Sequence, residues 1–265
     1  MDLKLKDRIA LVTGGSRGIG AGIVRELARE GVKVVFCARS SPAMDELEAE
    51  VRGSGGTCLA MAVDVFDSLA IKAAVDTAAA NWGGLDILVN NVGGAIRYGG
   101  FEDLADEDWM KAFEFNVMST VRFTRAALPY LRRSTLKRVI NVSSISAQQP
   151  GFFNPHYSGT KAAVVNLGKH LANIFAKETI LVNTVCPGPV HSESWESNIV
   201  RIAAQRQISL DDARATVESE EAAKIPLGAI GEAEHIATVV AFLASPVSNW
   251  TTGSTLHVNG GKLAV

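Results

Sequence analysis

One short stretch constrains the fold more than any other. An apolar run, residues 8–13 (R-I-A-L-V-T), passes into G-G-S-R-G-I-G and then into a helical pattern with Ile19, Ile23, Val24 and Leu27 on one face. A continuous apolar run of this length suits a parallel strand covered on both faces. Glycines at 14, 15, 18 and 20 let the backbone lie against a diphosphate, and the helix start beyond them offers free N–H groups and a positive dipole end. Strand, glycine-rich turn and helix in this order predict a dinucleotide-binding unit; the competing reading is a tight βα turn with no ligand.

The alternation continues along the chain. Further strands are predicted at 32–38, 57–63, 85–90, 138–142, 180–185 and 255–258, and helices at 42–52, 68–82, 106–131, from Tyr157 onward, and at 232–243. This pattern predicts an α/β fold: a single doubly wound Rossmann domain over residues 1–265, with a mostly parallel seven-stranded sheet and helices on both faces. Residues 191–224 break the rhythm. They are helical in composition, with Ser209 and Asp212 at capping-box spacing, and predict a helical lid after the sixth strand.

Tyr157 and Lys161 are four apart in a stretch with helical character, so they share one face. A lysine cation beside a phenol favours the phenolate, and a phenol so lowered from about 10 can exchange a proton with an alcohol oxygen. Ser144 follows the strand-like run V-I-N-V (139–142), where its hydroxyl can hold the same substrate oxygen. A tyrosine and a lysine at this spacing also occur on solvated helix faces, so the pair alone does not decide the matter. Asn116 lies inside a helical stretch, where asparagine tends to seek a specific partner.

The end of the second strand bears on the cofactor. A carboxylate there would accept from a ribose 2′-hydroxyl and repel a 2′-phosphate. The chain has Ala38, Arg39 and Ser40 instead, with Arg17 in the glycine turn, which favours NADPH over NADH; a solvated Arg39 is the plain alternative. Asp64 and Val65 close the third strand, where Asp64 either meets the adenine or caps the next helix. Asn90, Asn91 and Gly93 end the fourth strand, on the side where ligands of open α/β sheets bind. The sixth strand leads into C-P-G-P-V (186–190), which lacks two backbone donors.

Composition narrows the partners. The net charge of −2 offers no footprint for nucleic acid or an anionic membrane. No apolar run reaches the roughly 18 residues of a membrane span. Cys37, Cys58 and Cys186 show no disulfide or metal spacing and read as buried thiols. With a polar N-terminus passing straight into a strand and no signal peptide, a cytoplasmic protein without metal is expected.

T-G-G-S-R-G-I-G (13–20), N-N-V-G (90–93), Asn116, Ser144, Tyr157-x-x-x-Lys161 and Pro187-Gly188 occur together and in order. With the ending T-G-S-T-L-H-V-N-G-G (252–261), they resemble the short-chain dehydrogenases/reductases over essentially the whole chain. Val92 stands where the family usually has alanine, and Asn259 where it more often has aspartate. The resemblance implies that Tyr157 is the general acid/base, that Lys161 lowers its pKa and binds the nicotinamide ribose, that Ser144 holds the carbonyl, and that Asn116 anchors a relay water. It implies that Gly14, Ser16, Arg17, Gly18, Ile19 and Gly20 cradle the diphosphate. Asn91 would sit near the adenosine ribose, and Pro187, Gly188 and Val190 along the nicotinamide. It also implies a homotetramer.

The expected reaction interconverts a ketone and a secondary alcohol with NADP(H). A 3-oxoacyl carrier-protein reductase and an NAD-dependent sugar, polyol or secondary-metabolite dehydrogenase both fit. A dinucleotide-sensing regulator is the rival from another class, and a sugar-nucleotide epimerase would usually carry a longer C-terminal substrate domain. Gly94, Ala95, Ser146, Phe152, Phe153, His191 and Trp195 are expected to shape the substrate pocket, and their aromatic content suggests an apolar or cyclic small molecule. Arg97 is near enough in sequence to meet an anionic group, although a solvated arginine is the simpler reading.

Overall fold

The apolar runs pair side by side in one sheet. In the computed structural model, which describes residues 2–264, the strands are β1 (Ile9–Thr13), β2 (Lys33–Ala38), β3 (Thr57–Ala62), β4 (Ile87–Asn90), β5 (Arg138–Val142), β6 (Leu181–Pro187) and β7 (Thr255–Val258). Their order is β3-β2-β1-β4-β5-β6-β7, and every neighbouring pair is parallel. The winding reverses between β1 and β4, which opens a crevice beyond their carboxyl ends.

Alternation along each strand builds two cores. Ala10 and Val12 of β1 face one layer, with α1 (Gly18–Arg29), α2 (Pro42–Gly53) and α9 (Ala233–Ala244); Ile9 and Leu11 face the other, with α3 (Ser68–Trp82), α5 (Ser119–Leu131) and α6 (Pro155–Phe175). Every residue of β1, β4 and β5 is buried, the polar Thr13, Asn90, Arg138 and Asn141 among them. The three cysteines are buried free thiols, and burial pushes Cys37 up to about 12 and Cys58 to about 11.

Two boundaries differ from expectation for physical reasons. The sixth strand runs on to Pro187 because Thr184 to Pro187 pair with Thr255 to Val258. The stretch 106–131 is helical but not uniform: α4 (Asp106–Phe113) and α5 are joined by a π-helical turn, Glu114–Met118, which carries Asn116 fully buried. Such turns insert one extra residue and redirect a side chain. Beyond β6, α7 (Glu193–Arg206) and α8 (Leu210–Ala222) form the expected helical pair, around Ile199, Ala203, Ala213 and Val217. The Ser209 hydroxyl caps α8 by accepting from the Asp212 N–H at 3.1 Å.

Candidate active site

The crevice is assembled from the segments that leave β1, β4, β5 and β6. Thr13 ends β1, and its hydroxyl accepts from the N–H groups of Asn91 and Val92 at 2.9 and 3.1 Å. The Asn91 amide donates to the carbonyls of Thr13 and Gly14, both at 3.0 Å. Asn91 therefore welds the β4 exit to the glycine turn through its NH₂ group.

The glycine turn fits a dinucleotide. Gly14 and Gly18 lie in the left-handed region at φ 64° and 51°. A Cβ on Gly20 would come within 2.0 Å of the Gly14 carbonyl oxygen, so the turn closes on α1 with no room for a side chain. Arg17 precedes α1 without a side-chain cap and is exposed, as are Arg39 and Ser40 beyond β2. Neither arginine forms an ion pair among the described residues, and no carboxylate closes β2. The lid begins directly over the turn: a Cβ on Gly18 would meet Ser192 Cβ at 3.2 Å and Glu193 Oε2 at 3.4 Å. Asp64 is no helix cap. Its carboxylate accepts from the Phe66 N–H at 3.0 Å, while Asp67 caps α3 through the N–H groups of Leu69 and Ala70.

Tyr157, Lys161 and Ser144 converge where β5 and α6 meet. The Ser143 N–H donates to the Val185 carbonyl and its hydroxyl to the Lys161 carbonyl, both at 2.8 Å, fixing the β5 exit to β6 and α6. The Ser144 hydroxyl, at the β5 exit, accepts from the N–H and hydroxyl of Ser146 at 3.1 and 2.8 Å and lies near enough to the Tyr157 phenol to favour its charged form. Lys161 is 3 % exposed; its ammonium donates to the Val142 carbonyl at 3.0 Å and lies 5.8 Å from the centre of the Tyr157 ring. A Cβ on Gly93 would fall 2.5 Å from Lys161 Nζ and 2.7 Å from Asn116 Oδ1, so only glycine lets these two side chains approach the β4 exit together. Asn116 is held there by the Gly94 N–H at 2.9 Å, and its NH₂ donates to the carbonyls of Gly94 and Ala112 at 3.2 and 3.0 Å.

The electrostatics correct one expectation. Burial pushes the Tyr157 phenol above its usual value, and the nearby Ser144 hydroxyl only partly opposes this. Burial also pushes Lys161 down to about 8. Both charged forms are disfavoured because both groups are withdrawn from water, and Lys161 donates to a carbonyl instead of the phenolic oxygen. Lys161 therefore binds fewer protons in the folded than in the unfolded chain between about pH 8 and 10.5, so it adds stability as pH rises through that window. Urea unfolding should show wild type gaining on Lys161→Met as pH increases from 8 to 10; a pH-independent difference would refute the assignment.

Other predicted pocket residues are dispersed. Phe152 and Phe153, 99 % and 61 % exposed, turn outward ahead of α6 and do not build an apolar lining. Trp195 packs on the lid's own cluster. His191 is placed by carboxylates, its Nδ1 2.7 Å from Glu232 Oε1 and its Nε2 3.6 Å from Glu218 Oε1. Arg97 pairs with Asp108 at 2.9 Å, which answers its charge. Pro187, Gly188 and Val190 line the β6 exit, held by the Gly188 N–H to Val258 carbonyl bond at 2.9 Å and a bridge from Val190 to Gly231. Gly94 and Ala95 follow the β4 exit.

Sequence reasoning missed Tyr98. It adjoins Gly99, whose N–H and carbonyl pair with Asn154, the residue that precedes α6, at 3.2 and 2.8 Å. After burial, the main cause, the Tyr98 side chain adds to what holds the Tyr157 phenol above its usual value. Its position just past a strand's carboxyl end was the available signal.

Fold and site together are those of a dinucleotide-dependent oxidoreductase. A family model described as enoyl-(acyl carrier protein) reductase matches residues 14–262, and the chain belongs to the short-chain dehydrogenase/reductase family. It is 36% identical over 262 residues to the oxidoreductase UcpA of Salmonella typhimurium, covering 98% of this chain and 95% of that protein. To the 3-oxoacyl-(acyl-carrier-protein) reductase FabG of Vibrio cholerae it is 34% identical over 263 residues, covering 99% and 100%. The L-sorbose reductase of Gluconobacter frateurii, solved with NADPH and L-sorbose, superposes with a TM-score of 0.94 at 31% identity, covering 100% of both chains.

Proposed function

We propose that the chain is an NADP(H)-dependent reductase interconverting a ketone and a secondary alcohol. The observation that carries this reading is the meeting of half-buried Ser144 and Tyr157 with buried Lys161 between the β5 exit and α6. The nicotinamide, when bound, supplies or accepts the hydride. The chain's own residues do the rest: Ser144 holds the substrate oxygen, the Tyr157 hydroxyl gives that oxygen its proton, and Lys161 restores Tyr157 through groups near Gly93 and Asn116. A raised phenol pKa suits the reductive direction, since the donor stays protonated at neutral pH. The test is NADPH oxidation with a panel of ketones, followed by the reverse reaction with the corresponding alcohols. No turnover in either direction would refute the reading.

The preference for NADPH is supported by exposed Arg17 and Arg39, by the missing carboxylate after β2, and by the NADPH in the L-sorbose reductase complex. Charge-assisted bonds are worth about 1.5–3 kcal/mol each, so removing one arginine should weaken NADPH binding by roughly ten- to a hundred-fold. Arg39→Asp should raise KM for NADPH by about that factor and leave KM for NADH within a few-fold. A variant equally good with NADPH would overturn the preference.

The small-molecule substrate is read as a ketone, of which a ketose and a 3-oxoacyl group are two forms, on the strength of the two relatives' names. Assembly as a homotetramer in the cytoplasm belongs to the same reading. Supporting it are large apolar groups left outward on α4, α6 and beyond α9, among them Met110, Ile174, Val247 and Trp250. Sedimentation would test the assembly.

A further inference from the structure

The two lid helices carry three arginines, and their environments differ. Arg206 is gripped by both oxygens of Glu220 at 3.1 and 3.2 Å, and Arg214 by both oxygens of Glu196 at 2.5 and 2.6 Å. Arg201 makes no ion pair among the described residues. Its guanidinium donates to neutral amides only, Gln205 Oε1 at 2.8 Å and Asn198 Oδ1 at 2.7 Å, and its Nε is buried without a partner. These bonds hold the fork planar and aimed, but they leave the charge unanswered.

What Arg201 faces identifies its role. Its central carbon lies 5.4 Å from the ring centre of Tyr98, a cation–π contact that joins the lid to the β4 exit. Tyr98 in turn adjoins Gly99, paired with Asn154 at the start of the helix that carries Tyr157. The lone unanswered cation of the lid therefore stands over the substrate side of the crevice. It is two turns of α7 away from Ser192 and Glu193, which cover the glycine turn. The other arginine near this mouth, Arg97, is neutralised by Asp108.

We propose that Arg201, positioned on Tyr98, is a specificity-determining residue that binds an anionic oxygen group, carboxylate or phosphate ester, carried by the ketone substrate. The inference rests on the reductase reading and deepens it by giving the substrate a charge. A guanidinium fork already held by two amides retains N–H groups for a planar anion, and seating that anion supplies the missing counter-charge.

The test uses matched substrates in the full-length enzyme with NADPH: a 3-oxo acid against its methyl ester, and a ketose phosphate against the parent ketose. The readout is the ratio of kcat/KM, anionic over neutral, within each pair. Wild type should favour the anionic member of at least one pair by about tenfold or more, and the pair that responds distinguishes carboxylate from phosphate. Arg201→Gln should bring that ratio near one, Arg201→Lys should keep part of it, and Arg206→Gln, on a carboxylate-paired arginine, should leave it unchanged. The wild-type ratio should also shrink with added salt, which requires no variant to fold. Equal use of both members by wild type, or a ratio surviving in Arg201→Gln, would overturn the inference while the reductase reading stands. No turnover of any ketone with either cofactor would overturn both.

Discussion

Replacing Tyr157 by phenylalanine is expected to lower kcat for ketone reduction by about a hundred- to ten-thousand-fold, the range of a positioned general acid, with NADPH affinity within a few-fold of wild type. The substitution removes one oxygen and leaves the ring. The ring lies in a partly buried site 5.8 Å from the Lys161 ammonium, so packing survives. What disappears is the hydroxyl near Ser144 that the proposed chemistry uses as its proton donor. Stopped-flow turnover and fluorescence titration of NADPH separate the two quantities. A variant with normal turnover would sink the proposed chemistry. If wild type bound NADPH but turned over no ketone, the dinucleotide-sensing rival would gain.

Gly20→Ala should come second in size, by a different route. The added Cβ would stand 2.0 Å from the Gly14 carbonyl oxygen and 2.6 Å from Asn91 Nδ2, so the glycine turn, the β4 exit or both must shift. Forced overpacking of this kind costs about 1–3 kcal/mol, which for a chain of this size lowers Tm by several degrees. The larger loss should be in binding. The same backbone that must move is the one that would cradle the diphosphate, and NADPH affinity should fall at least tenfold, on the order of one charge-assisted bond. Gly84→Ala, with open space around its Cβ, is the control and should change neither quantity. Wild-type melting and affinity in Gly20→Ala would show that the turn is not held as described.

The sequence alone determined the frame and the local spacing of the candidate site. Alternation of buried strands with amphipathic helices leaves one economical way to bury both faces of a parallel sheet, and each element boundary near the crevice fell within a few residues of its expected place. Tyr157 and Lys161 were legible because helical spacing is local. Other features depended on which segments the fold brings together. Asn91 turned out to hold the glycine turn because β4 lies beside β1, 78 residues away in the chain. The π-helical turn at Asn116 leaves no periodic signature that five residues could carry. The phenol's pKa moved opposite to the expectation because desolvation, a property of the packed site, dominates and is opposed only by the Ser144 hydroxyl. Phe152, Phe153 and Trp195 read as pocket residues by composition, yet they face outward or into the lid. Which arginines keep an unanswered charge was likewise decided by distance alone: Arg97 lies near Asp108, and Arg201 lies near Tyr98 with no carboxylate beside it. Local pattern specifies helices, strands and their spacing; which side chains face one another across the crevice is set only when distant segments pack.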